Sequence, residues 1–283
     1  MTVKKWLKTP KGYVTLALIS YLIIASIGSK TILGIENTMV AVLVSFAADY
    51  LCCTFMKRKS SKDSTVITSL IISLILSFTT SWLVVAGTAI VAILSKHFIV
   101  YKKKPVFNPA AFGLLFSLFF ISQTGQSWWG AFGDLPAWMI VFLLIGGYLI
   151  TNRITKFPQV FSFLLTYMVL LFVMGLYNMG NAADAFRPPF INATLFFGFF
   201  MLTDPPTSPA KSKSQIVFGM LTAAAGVLVY GMFGGLAYLY IGLVLGNLYQ
   251  HLQKRFSPKS AAVSQKVDAQ TRVGRAKQAR AGR

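Results

Sequence analysis

The sequence predicts an all-α polytopic membrane protein of about ten transmembrane helices, arranged as two inverted five-helix repeats with short third and eighth helices. Three observations predict it. Of 283 residues, 55% are hydrophobic and only 12% charged, about half the charge of an ordinary soluble domain. Apolar runs recur along nearly the whole chain, close to the roughly 20 residues that cross a bilayer core. The lysines and arginines lie in short clusters between those runs, the pattern that marks the cytoplasmic face of a membrane protein.

The spans read in order as Gly12–Gly28, Glu36–Met56, Thr65–Phe78, Trp82–Val100, Asn108–Ser122, Ala137–Ile150, Val160–Leu176, Pro189–Leu202, Ile216–Tyr230 and Gly234–Tyr249. Ten spans make the loops alternate sides, and the basic residues test that count. One side takes the clusters around Lys4–Lys11, Lys57–Lys62, Lys96–Lys104, Arg153–Lys156 and Lys211–Lys213, together with the C-terminal tail. That places 25 of the 27 Lys and Arg on one side and leaves only Lys30 and Arg187 on the other, beside Glu36, Asp134 and Asp184. A wrong count would scramble this segregation, so both termini are expected in the cytoplasm. The third and eighth spans are too short for a full crossing, and broken helices persist only where protein or an aqueous cavity covers the freed backbone. They occupy matching positions in the two halves and end alike, in "SLILSFTTSW" and "FFGFFMLTDPPTSP". Interrupted helices in matching places of inverted repeats point to a central site.

Residues 1–253 form the membrane domain on this reading, and 254–283 a basic tail with nine Lys or Arg, one acid and no apolar period. The formal net charge of +20 is therefore a matter of membrane side. The tail is expected to be disordered beside anionic lipid headgroups, and no nucleic acid partner is expected. No small-residue cleavage site follows the first apolar run, so no cleavable signal peptide is expected. The adjacent Cys52 and Cys53 read as reduced, small apolar residues of a helix; alone they are too few for an iron–sulfur cluster.

Two stretches carry chemistry. In "TDPPTSP" (Thr203–Pro209), Pro205 and Pro206 stop the helix because proline offers no N–H and disfavours helix in the residue before it. Thr203, Thr207 and Ser208 supply hydroxyls that can satisfy freed backbone groups or a ligand, beside the carboxylate of Asp204. The plainer reading is a terminator at the membrane surface. In "KKKPVFNPAAFGLL" (Lys102–Leu115), Asn108 and Pro109 open the fifth span on the same side. Asn is a good N-cap and Pro a good first helical residue, while the Asn108 amide also matches the imide edge of a heterocycle. Asp49 lies within the second span, and an intramembrane carboxylate suggests ion or proton handling; its place near Lys57 also suits a water-exposed acid. His97 and His251 sit at the same boundary, an unsuitable pair for a haem that carries electrons across. No P-loop, metal-binding histidine pair or nucleophile elbow is present, and no catalytic residue or metal ligand is assigned.

"FNPAAFG" followed about 95 residues later by "TDPPTSP", with "SLIISLILSFTTSWLVVAGTAIVAILSKHF" (Ser69–Phe98) before them, resembles the membrane-subunit family shared by the sodium-pumping NADH:quinone oxidoreductase and the Rnf electron transport complex (the NqrB/RnfD family). The resemblance covers roughly Val66 to His251. It implies a ten-helix subunit that passes electrons between flavins in a redox-driven complex with other membrane subunits. Such subunits carry an FMN joined to a threonine in a Ser/Thr-Gly-Ala-Thr motif on the outer side. Here Thr124-Gly125 lacks the Ala-Thr pair, and Ala193-Thr194 lacks the residues before it, so covalent FMN is expected to be absent. A noncovalent flavin, riboflavin or FMN, is expected at the cytoplasmic side, held by Phe107, Asn108, Pro109, Thr203, Asp204, Thr207 and Ser208, with Phe112, Phe199 and Phe200 available to stack on the ring. An outer FMN-bearing protein would then take the electron, by analogy alone. The competing function is a transporter or channel for a small solute or flavin-like vitamin, with Asp49, Asn108 and Asp204 lining its path. Electron donor, coupling ion and assembly are not legible.

Overall fold

The computed structural model describes residues 3–58, 60–121, 126–235 and 237–256. Among the described residues, a short helix α1 (Val3–Leu7) precedes ten further α-helices. The first half runs α2 (Pro10–Gly28), α3 (Leu33–Met56), α4 (Lys62–Ile75), α5 (Trp82–Phe98) and α6 (Pro109–Phe116), the last continued by a π-helical turn over Ser117–Ile121. The second runs α7 (Ile140–Ile154), α8 (Phe157–Leu176), α9 (Phe190–Phe196) with a π-helical turn over Phe197–Met201, then α10 (Ser212–Phe233) and α11 (Ala237–Phe256). Between α5 and α6 lies the only sheet among the described residues, a two-residue hairpin of β1 (Val100–Tyr101) and β2 (Lys104–Pro105).

Among the described residues, five helical stretches are long and apolar enough to cross a membrane: Pro10–Gly28, Leu33–Met56, Ala137–Ile154, Phe157–Leu176 and Ser212–Phe233. The chain is a multi-pass membrane protein, apolar outside as well as in. On α8 the outward face is Phe161, Leu165, Val169, Phe172 and Leu176, while Val160, Phe163, Tyr167, Leu171 and Met174 are buried. Each stripe keeps helical spacing, the first for lipid and the second for neighbouring helices.

Helix pairing repeats between the halves: α3 packs on α4 and α5, and α5 on α6; α8 packs on α10, and α10 on α11. The matching pairs α5–α6 and α10–α11 close over glycine. A Cβ on Gly113 would stand 2.8 Å from the Thr88 carbonyl oxygen and 2.7 Å from Ala92 Cβ. One on Gly242 would stand 2.6 Å from the Thr222 carbonyl oxygen and 3.1 Å from Gly226 N. Each glycine thus lies in a groove made by a Thr and a small residue four positions later, the close approach that holds membrane helices together.

The short spans break at opposite ends of the bundle. The 14 residues of α4 reach about 21 Å, short of a bilayer core of roughly 30 Å. Its free carbonyls are met by a loop from the far face. Trp128 N donates to the Ile75 carbonyl at 2.9 Å, and Trp129 Nε1 to that of Ser73 at 2.7 Å. Asn37 Nδ2 donates to the Phe78 and Thr80 carbonyls at 3.1 Å each. Both tryptophans are buried, so this end of the broken helix is plugged. The other break, after Met201, faces the lysine-rich side and is open.

One boundary moves. The sequence ends the tenth span at Tyr249, but α11 continues to Phe256 and takes in Lys254, Arg255 and Phe256, the first residues of the expected tail. The tail from 257 onward, and Thr124-Gly125, lie outside the described residues.

Candidate functional site

The break after α9 is built from polar side chains of other elements. Pro205 and Pro206 end the helical path, which leaves carbonyls without intrahelical partners. Asn108 Nδ2 donates to Met201 O at 3.2 Å, Gln159 Nε2 to Leu202 O at 2.6 Å, and Asn247 Nδ2 to Thr207 O at 3.2 Å. Lys156 Nζ donates to Ser208 Oγ at 2.9 Å and to Pro209 O, and Gln215 Nε2 to Ala210 O at 3.0 Å. All five of these side chains are buried. Asn108 has a second duty, since its Oδ1 accepts from Ala111 N at 3.1 Å and so caps α6. Its backbone N–H goes to Asn247 Oδ1 at 2.9 Å. Asn247 thereby ties the two motifs, about 95 residues apart, into one frame.

Above this frame lies a cavity of about 470 Å³, within the usual range for small-molecule sites. Asn108, Pro109, Phe200, Thr203, Asp204 and Pro205 form one wall. The opposite wall comes from α2, α4 and α5, with Val14, Ile67 and Ile71 as apolar surface and Ser64 and Thr68 as hydroxyls. Its rim carries Lys11, Arg58, Lys103 and Lys104, and Asp204 is the one carboxylate lining it. The structure therefore brings Asn108, Pro109, Thr203, Asp204 and Phe200 together. It sets the other expected residues apart: Phe107 stacks on Phe112 with ring centroids 5.8 Å apart, Ser208 holds Lys156, and Thr207 faces a neighbouring cavity. Phe199 packs against Gly147, where a Cβ would stand 2.2 Å from its ring. The Asn108 amide has one N–H and one oxygen lone pair engaged by protein, and an Asn offers two of each.

Burial moves both Asp204, in this wall, and Lys156, in the frame. Burial pushes the Asp204 carboxyl up to about 6, opposed by the Thr207 hydroxyl at 2.9 Å and the charges of Lys11 and Lys156. Burial brings the Lys156 ammonium down to about 8, opposed by Asp204. The folded chain thus keeps a proton on Asp204 that the unfolded chain releases near pH 3.8. Stability from this group is complete below that pH and is lost as pH rises through about 6. The melting temperature of the detergent-solubilised protein should fall between pH 4.5 and 7, by no more than about 3 kcal/mol in stability. Asp204→Asn should flatten that limb, and an unchanged slope in the variant rejects the assignment.

A second polar cluster backs the cavity. Asp49, buried in α3, is not the water-exposed acid that its place near Lys57 suited. Its Oδ1 lies 3.1 Å from Lys96 Nζ and 2.7 Å from His97 Nε2, and Ser60 Oγ donates to Oδ2. Lys96 also donates to Thr65 Oγ1 at 2.9 Å. Lys96 and His97 line the cavity, so this cluster is its polar floor. Cys53 Sγ lies within 4.8 Å of the Asp49 and His97 ligand atoms, but the Lys96 ammonium occupies the carboxylate that a metal ion would need. Lys96 and Lys156 give no signal in the sequence because each sits inside an ordinary boundary cluster of basic residues.

The model of the NQR2, RnfD, RnfE family matches residues 4–132 and 122–252, nearly the whole membrane domain. The chain belongs to this family. Among curated relatives it is similar to the D component of an ion-translocating oxidoreductase complex of Colwellia psychrerythraea, 35% identical over 89 residues, covering 31% of this chain and 24% of that one. It is also similar to the protein of the same name in Salmonella arizonae, 32% identical over 101 residues, covering 35% and 28%. The matched stretches span about a quarter of those relatives' own length. Within the NQR2, RnfD, RnfE member described here, Ala193 and Thr194 are buried in α9, and the Thr194 hydroxyl lies 2.9 Å from Tyr238 Oη.

Proposed function

We propose that the chain is a flavin-holding membrane subunit of an ion-translocating oxidoreductase complex. Its termini would lie in the cytoplasm, and electrons would pass from a cytoplasmic-side donor to an outer flavoprotein. The observation that carries this reading is the cavity at the Asn108–Asp204 frame. Its walls fit a planar heterocycle: apolar side chains on two faces, with amide, hydroxyl and carboxyl groups at one edge. A bound flavin supplies one- and two-electron chemistry. Asn108 would orient its polar edge through the N–H and lone pair not used in capping, and Phe200 would pack on the ring. Four cationic groups at the rim, Lys11, Arg58, Lys103 and Lys104, would stabilise negative charge gained on reduction. The relatives' names support membership of a complex with other membrane subunits. Covalent FMN is not part of the proposal, because neither candidate threonine has the full motif.

The test is the visible spectrum of the purified full-length protein, then denaturation and filtration. Flavin released into the filtrate is the expected result, with occupancy lowered in Asn108→Ala. A flavin mass retained on the intact chain refutes the noncovalent assignment. A preparation that stays colourless after riboflavin and FMN are added refutes the flavin reading and favours solute transport through the same cavity.

A further inference from the structure

A second cavity, of about 420 Å³, adjoins the first on the lysine-rich side. The two share Lys104, Pro105 and Pro206 as a partition. The second is walled by the hairpin and by the last turns of α11, with Tyr101, Lys102, Lys104, Gln250, His251 and Lys254 around it. Among the described residues no carboxylate lines it, and neither Lys104 nor Lys254 has an acid within 4.0 Å. Cations converging from two elements repel one another unless an anion lies between them.

The hairpin turn adds a second observation. Lys102 and Lys103 both have left-handed backbones, with φ of 49° and 64°. A two-residue turn with positive φ at both positions strongly favours Asn-Gly, and each side chain there costs on the order of 1–2 kcal/mol. This turn directs Lys102 to the smaller cavity and Lys103 to the larger, with Lys104 between them. Strain of this kind persists where the surroundings use the residue. Gln250, 6% exposed, lines the same cavity beside Lys254.

We propose that this cavity binds the phosphate of an anionic phospholipid headgroup. Lysine ammonium groups suit phosphate as compact point charges. A lipid is the favoured source because the site ends a membrane helix whose adjacent Leu252 and Phe256 are exposed and apolar, leaving room for acyl chains beside the cavity. Asn247 and Thr207 also line it, so a bound headgroup would brace the same frame that closes the larger cavity. The two readings share Lys104 at the partition, but lipid retention and flavin release are separate readouts, so either can fail alone.

Full-length protein in neutral-detergent micelles doped with phosphatidylglycerol or phosphatidylcholine provides the test, read by native mass spectrometry and thermal shift. Phosphatidylglycerol should be retained in preference, and Lys104→Gln with Lys254→Gln should weaken it by about ten-fold or more. Lys211→Gln with Lys213→Gln removes the same charge from the same side outside the cavity and should leave retention unchanged. Equal retention of the two lipids by the wild-type protein overturns the proposal, as does equal weakening in both double variants. Stabilisation by inorganic phosphate alone, as large as that by phosphatidylglycerol, overturns the lipid source in favour of a soluble phosphate.

Discussion

Asn247→Ala is expected to lower the stability of the solubilised protein by about 2–6 kcal/mol, with loss of any ligand held in the larger cavity. The substitution leaves two buried groups unsatisfied, the Asn108 N–H and the Thr207 carbonyl, and each such group costs about 1–3 kcal/mol. Asn247 is buried, 1% exposed. The change also unties α6 from the turn after α9, so both motifs lose their shared brace. Thermal unfolding followed by scattering or fluorescence gives the first number, and ligand titration gives the second. A variant with wild-type melting would mean that the frame stands on its other bonds, through Asn108, Gln159 and Lys156. Asn247→Asp is a useful companion: it keeps the acceptor for Asn108 and loses the donor to Thr207, so it should fall between the two.

Gly242→Val should prevent accumulation of folded protein, and Gly113→Val should do the same at the matching joint. At Gly242 the new Cβ would meet the Thr222 carbonyl oxygen at 2.6 Å and Gly226 Cα at 3.2 Å. These are backbone atoms, which cannot swing aside, so α11 must move away from α10 and forfeit the packing between them. Overpacking of a tight core typically costs about 1–3 kcal/mol, and here the valine branches add to the clash. Gly175→Ala on α8 is the control, because its Cβ would meet only Ala182 Cβ, at 3.8 Å. It should be neutral or slightly stabilising, since alanine favours helix. Expression and monodisperse elution of the three variants decide the matter; folded Gly242→Val would show that the α10–α11 joint is soft.

Much of the fold is legible in the sequence because charge and hydropathy report directly on membrane side and span. Asn108-Pro109 reads correctly as a helix start, and its cap bond to Ala111 N is local chemistry. The meeting of Asn108 with the turn after α9 is suggested by resemblance and not by the residues, since a contact between positions 93 residues apart leaves no local trace. Asp49 stands out along the chain, but its partners do not. Lys57 is near in sequence, whereas Lys96 and His97 arrive from α5 only once α3 and α5 pack together. Thr207 and Ser208 follow Asp204 closely, yet the turn directs them away from the larger cavity. Local chemistry could name the hydroxyls but not where a proline-bent chain would aim them. The glycine joints are also silent, because a glycine in a membrane helix looks the same whether or not another backbone lies against it.

The plug of Trp128 and Trp129 at the broken end of α4 has an electrical consequence. An inverted repeat with two interrupted helices offers water two re-entrant openings, one from each face. Were both open, the low-dielectric thickness between them would shrink, and an ion crossing it would meet a smaller barrier. A potential of 100 mV is worth about 2.3 kcal/mol per elementary charge, and a leak of that kind discharges it. Two buried indoles, one stacked on Tyr240 at a 5.5 Å centroid separation, fill the far opening with apolar mass and leave the near one hollow. The protein can then host a polar guest on one side while the bilayer stays insulated.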